Sequence, residues 1–180
     1  MNGHETELKR YGTKQVMWLV ALVCLGMALL TLLPQPVSAN AGIAQDARTL
    51  EQCVARETQA GRRAWACIEA VSGPCLAATR ETTADMNFCL QRSTDAWDAV
   101  LNQNYQALMR GWQASDQAEP QAILRNAQRA WITYRDNACT AEAFLYRGGT
   151  LQGVIVGACL EQQTALRAID LIGLLRDQNQ

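Results

Sequence analysis

Long stretches with the apolar spacing of helices alternate along this chain with short polar breaks. Residues 16–33 are almost wholly apolar and stand apart. Beyond them, apolar positions recur every three or four residues, the spacing of one helix face. Residues 43–59 place Ala47, Leu50, Cys53 and Val54 near one side, Gly61 interrupts, and residues 62–71 resume with Trp65 and Ile68, predicting a short helical hairpin. Ser72-Gly73-Pro74 then predicts a turn. Thr82-Thr83-Ala84-Asp85 has the pattern of a capping box. Met86, Leu90, Trp97, Leu101, Tyr105, Leu108 and Trp112 follow as a core stripe on one helix over 83–112.

Pro120 suits the first turn of the next helix, predicted over 120–146. Its apolar side is expected from Ile123, Leu124, Ala127, Trp131, Tyr134 and Ala138. Gly148-Gly149 ends it, and Thr150 is placed to cap the last helix, over 151–176. There Leu151, Val154, Ile155, Ala158, Leu166, Ile169 and Ile172 predict the buried face, while Gly153 and Gly157 allow a neighbour to approach closely. With no strand alternation and no repeat, the fold class is all-α: a small disulfide-stapled helical bundle with an N-terminal helical hairpin.

The isolated apolar run follows Lys9, Arg10 and Lys14 and ends at Pro34-Gln35-Pro36, ahead of Val37-Ser38-Ala39. A basic region, an apolar region and small residues at the cut define a secretory signal over 1–39, which directs the protein to the periplasm. The alternative is an uncleaved inner-membrane anchor over residues 16–33, roughly 27 Å long as a helix. A lipid-attachment role for Cys24 fails, because Val23 is bulky and Cys24 lies inside the apolar run. The expected organisation is thus a leader over 1–39, a cysteine-bearing hairpin over 40–74 and a helical domain over 75–180.

Export changes how the cysteines read. Without Cys24 there remain Cys53, Cys67, Cys75, Cys89, Cys139 and Cys159, an even set suited to an oxidising compartment. Cys53 and Cys67 flank Gly61 at similar distances, and the Gly148-Gly149 turn lies nearly midway between Cys139 and Cys159. The favoured pairing is Cys53–Cys67, Cys75–Cys89 and Cys139–Cys159, one of about 15 that six cysteines allow. Zinc is disfavoured, since there is no CxxC and the one histidine, His4, lies in the leader. No cofactor is expected. Residues 40–180 carry 13 arginines, no lysine and 15 acidic residues, a formal charge of −2, which points to no nucleic-acid partner. Membrane contact is expected only if the leader stays attached.

The densest run of informative side chains is 128–139. Gln128, Trp131, Arg135 and Cys139 share one helix face, a mixture unlike a plain core stripe. Catalysis is not expected. Without histidine or lysine, the exported part cannot build a Ser-His-Asp or Cys-His arrangement, and disulfides remove the thiols as nucleophiles. Asp95 and Asp98, three apart, read as a solvated face rather than an acid–base pair.

Asp98-x-x-Leu101-Asn102-x-x-Tyr105 on one helix is followed by Gln128-x-x-Trp131-x-x-Tyr134-Arg135-Asp136-x-x-Cys139 on the next, then by Gly148-Gly149-Thr150 and Cys159. Over about residues 75–176 this order closely resembles the LprI-like lysozyme inhibitor family of small exported bacterial helical proteins. The resemblance implies binding to lysozyme and its inhibition. The founding type is a lipoprotein; this chain has no lipid-attachment cysteine and carries an additional cysteine hairpin at about 43–71. The motif residues are expected to be structural, Asp98 or Asn102 contacting Arg135 or Gln128 across two helices beside a Trp131–Tyr105 packing layer. Two functions follow: inhibition of lysozyme through an exposed element near Ser115-Asp116 or Arg147-Gly148-Gly149, or a non-inhibitory envelope binding or assembly module of the same fold.

Overall fold

A computed structural model describes residues 39–80 and 82–180; the expected leader therefore lies outside the described residues, apart from Ala39. Five α-helices follow in order: α1 (Ala39–Gln59), α2 (Ser72–Ala77), α3 (Thr83–Ala114), α4 (Ala118–Phe144) and α5 (Leu151–Gln178). A 3₁₀ turn, Ala64–Cys67, lies between α1 and α2, and there is no strand among the described residues. The chain is an all-α bundle stapled by three disulfides, Cys53–Cys67, Cys75–Cys89 and Cys139–Cys159.

α3 is the mast. It packs most extensively on α5 and next on α1, whereas α4 leans on α5 and touches α3 little. Its start is fixed by a reciprocal capping box: Asp85 N–H donates to the Thr82 hydroxyl, and Thr82 N–H donates to the Asp85 carboxylate. Being covered on several sides, α3 buries more than the expected stripe. Leu90, Trp97, Leu101 and Leu108 are buried, but so are Cys89, Ser93, Ala96, Val100 and Asn104.

The N-terminal arm joins the same core. Leu50 and Val54 of α1 pack with Trp97, Val100 and Leu171. Arg92 of α3 donates from Nε and Nη2 to the two carboxylate oxygens of Asp46 at 2.7 and 2.8 Å. The fully buried Trp97 donates its indole N–H to the Ile68 carbonyl at 3.0 Å, tying the return arm to the mast. That return arm differs from the expected helix over 62–71. It is a 3₁₀ turn followed by α2, which contains the Ser72-Gly73-Pro74 step expected as a turn. Pro74 is tolerated there because the first four N–H groups of a helix have no intrahelical partner.

α5 departs from its predicted face. The deeply buried seam is Cys159, Glu161, Thr164, Ala165, Ala168 and Leu171. The bulky residues flank it, and Leu151 and Ala158 are exposed. Close packing on α3 selects small side chains: a Cβ placed on Gly157 would lie 3.3 Å from the Leu90 side chain. In the seam, Glu161 is only 3 % exposed, and one of its oxygens has no hydrogen-bond partner among the described residues. Burial pushes its pKa up, the Ser72 and Ser93 hydroxyls pull it back, and the Glu69 charge pushes it up again, for a net rise.

Two outcomes follow. Trp97→Phe leaves the Ile68 carbonyl unpaired and costs about 1–3 kcal/mol in urea unfolding with the disulfides intact. The Glu161 proton is bound more tightly in the folded chain, so its contribution to stability is full below the ordinary value of 4.5 and is lost as pH rises through the raised folded value. Glu161→Gln therefore melts above the parent protein at neutral pH, and the difference closes on acidification.

Candidate functional site

The inward side of α4 is set by a stripe at steps of four, three, four and four: Leu124, Gln128, Trp131, Arg135 and Cys139. Leu124 and Cys139 are buried and the three between them are half-buried. The expected apolar side of α4 is thereby corrected. Ile123 and Tyr134 are each 60 % exposed and Ala127 is exposed, because α4 leans mainly on α5 and, among the described residues, its far side meets no neighbour. Tyr134 therefore does not join the core.

Facing α4, the mast presents Asp98, Leu101, Asn102 and Tyr105. The two sets line one open groove of about 410 Å³, joined by Arg125, Arg129 and Gln106. The structure thus brings seven motif residues together. It does not join them as expected: among the described residues, no hydrogen bond or ion pair links Asp98 or Asn102 to Arg135 or Gln128. Each polar group is engaged elsewhere. Asn102 donates to Asp98 at 2.8 Å on its own helix. Gln128 accepts from Arg167 Nε of α5 at 3.0 Å, as the lean of α4 dictates. Arg135 pairs with the adjacent Asp136 at 2.8 Å, and its guanidinium lies 5.0 Å over the Trp131 ring.

The groove offers guanidinium and amide donors and one carboxylate. Asp95 opens onto a separate hollow with Asp46 and Arg92 and donates nothing to the groove. An arrangement with one acid and no histidine suits binding rather than proton transfer. No group of three or more His, Cys, Asp or Glu is placed to hold a metal among the described residues.

A second surface lies where α4 turns into α5. Cys139 is bonded to Cys159 one and a half turns below the end of α4. Beyond the bond, Phe144, Leu145, Tyr146 and Leu151 are all exposed, Leu145 at 84 %. The turn is ordered by Tyr146 N–H donating to the Ala143 carbonyl and Gly149 N–H donating to the Tyr146 carbonyl. Gly148, at φ +85°, takes the left-handed conformation that glycine adopts without cost. Its N–H donates to Gln152 Oε1 at 3.3 Å. Thr150 occupies the N-cap position of α5 but makes no side-chain capping bond, its backbone being already helical. Arg147, the single charged residue over 143–159, lies 4.6 Å over the Phe144 ring.

This apolar tip was only half visible in the sequence. The Arg147-Gly148-Gly149 turn stood out, but the bulky run before it did not. The signal was present, since three consecutive large apolar residues, Phe144, Leu145 and Tyr146, one residue ahead of a glycine pair cannot all face a core. Glu161 was likewise missed, although it is the first charge after Arg147 in the most apolar helix.

Residues 75–171 match the family model described as "Lysozyme inhibitor LprI". An uncharacterized protein of Rhizobium meliloti (strain 1021) is 35% identical over 100 residues, covering 51% of this chain and 72% of the relative. No solved structure is significantly similar to the chain. With the match spanning just over half of its length, the chain belongs to the LprI lysozyme inhibitor family. The matched span contains both the groove and the tip.

The groove geometry makes Arg135 replaceable for folding. Its ion pair is with a half-exposed neighbour on the same helix, so Arg135→Ala costs under about 1 kcal/mol of unfolding free energy. A loss above about 3 kcal/mol would show instead a buried network that fixes helix register.

Proposed function

We propose that this member of the family is an exported protein that inhibits lysozyme by direct protein–protein contact. The observation that carries the reading is the stapled tip. An inhibitor of a glycan-cleaving enzyme needs an element that enters the substrate cleft already shaped, because ordering on contact subtracts from affinity. The tip has that form: an exposed Leu145 between Phe144 and Tyr146, a hydrogen-bonded turn and a disulfide at its base. Its lone Arg147 suits a cleft that holds the pair of carboxylates on which glycoside hydrolysis depends. Family membership supports the target and the disulfides support an oxidising compartment. No helix among the described residues is long and apolar enough to cross a membrane. Within this reading, residues 1–39 are the leader, cut after Ala39, and the mass of the exported form checks the cut.

The second reading is a non-inhibitory envelope binding or assembly module that uses the α3–α4 groove. It draws on the gathering of motif residues there. Turnover of cell-wall substrate by c-type and g-type lysozymes, titrated with the exported form, separates the two. The expected result is inhibition of at least one type. Leu145→Asp and Arg147→Glu each weaken it about tenfold or more, equivalent to at least 1.4 kcal/mol, while Asn102→Ala leaves it unchanged. No slowing of either enzyme at a large molar excess discards inhibition. Inhibition that survives both tip variants but is lost with Asn102→Ala moves the contact to the groove.

A further inference from the structure

A cavity of about 550 Å³ lies beneath the return arm, walled by Ile68, Leu76 and Leu90 with Ser72 and Glu161 among its lining. Its volume falls within the range of small-molecule sites. Glu161 is almost wholly buried, with one oxygen lacking a hydrogen-bond partner among the described residues, an arrangement that costs free energy unless a donor completes it. Ser72, 1 % exposed, adds a second buried polar group. Glu69 contributes a second acid, and no basic residue among the described residues lines the cavity. Trp65 stands exposed among the lining residues, and its ring already carries one cation, the Arg63 guanidinium at 4.7 Å.

We propose that this cavity binds an aliphatic ammonium group, its charge held by Glu161 and Ser72 and its alkyl chain lying on Ile68, Leu76 and Leu90. Each feature narrows the ligand. Two acids without a base select a cation. A metal ion is disfavoured, since no group of three or more His, Cys, Asp or Glu able to hold one exists among the described residues. A guanidinium is matched best by a carboxylate with both oxygens free, whereas a single unpartnered oxygen suits the compact point charge of an ammonium. The apolar walls call for a carbon chain behind that charge, as in a free alkylamine or a lysine-type side chain. The inference does not rest on the inhibitor reading, because the cavity and the tip share no residue.

Calorimetric titration at neutral pH tests it, using n-pentylamine and Nα-acetyl-lysine methylamide, with n-pentanol as the uncharged control. At least one amine binds the parent protein and pentanol does not. Binding of pentylamine alone identifies a free amine as the ligand form, and tighter binding of the lysine derivative identifies a side chain. Glu161→Gln, which keeps shape and removes charge, weakens binding about tenfold or more. Ala158→Phe, at an exposed lining position, does the same with Glu161 intact. The proposal is overturned if neither amine binds at about 10 mM, if pentanol binds as well as the amines, or if a folded Glu161→Gln or Ala158→Phe protein keeps the parent affinity.

Discussion

The bond between Cys139 and Cys159 decides more of this molecule than any other single contact. It closes a loop of 20 residues at the foot of the α4–α5 turn, with a model-dependent worth of about 3 kcal/mol. Its structural consequence exceeds that figure. α4 is held against α5, so its inward stripe follows Leu124, Gln128 and Cys139 rather than the bulkier Ile123 and Tyr134. Gln128 pairs with Arg167 of α5 as a result, and the side toward α3 stays open as a groove. Above the bond, the chain can present Phe144, Leu145 and Tyr146 to solvent without fraying, because two helices enter the turn already fixed.

The rest of the bundle supports that hairpin through α3. α3 and α5 run in the same direction, with Gly157 against Leu90 near one end and Gln178 Nε2 donating to the Leu108 carbonyl near the other. Small residues make the approach possible, and they leave room in the seam for Glu161 and Thr164. The N-terminal arm, residues 39–74 ahead of the family match, covers this end of the mast through Trp97 and Asp46–Arg92; Cys53–Cys67 closes the arm on itself and Cys75–Cys89 ties its end to the mast. The arm also roofs the cavity over Glu161. A buried acid with an unpartnered oxygen detracts from stability unless something offsets it, which makes it the least economical feature of the core.

The four long helices, their order and approximate limits were legible because apolar spacing, the Thr82–Asp85 cap, Pro120 and the Gly148-Gly149 stop all act locally, whereas the short return arm, expected as a helix over 62–71 and a turn at Ser72-Gly73-Pro74, is a 3₁₀ turn followed by α2. The cysteine spacing carried over for the same reason, each pair flanking a nearby turn. Packing faces were less legible. Hydropathy marked Ile123 and Tyr134 as core, yet a helix that packs mainly on one partner needs only a narrow seam, and bulky residues outside it face water; Leu151, at the first residue of α5, is exposed beside the turn. In α5 the deepest positions went to Ala165 and Ala168, because helix proximity rewards small size over apolarity. For the candidate site, sequence order identified the residues but not their pairing. Which polar groups meet depends on the lean of α4, a tertiary quantity that no local pattern encodes.

The same lean connects fold to function. A hairpin tip that is apolar, ordered and singly charged has the physical form of an element made to fill another protein's cleft, whereas in the groove Asp98, Asn102 and Arg135 are engaged on their own helices and Gln128 with α5. The proposed contact with lysozyme is made by the tip. Amide hydrogen exchange of the exported form with and without lysozyme tests it most directly. Protection gained on binding is expected to be concentrated over residues 143–152. Protection confined to residues 98–106 and 125–135, with the tip exchanging as in the free protein, would contradict it.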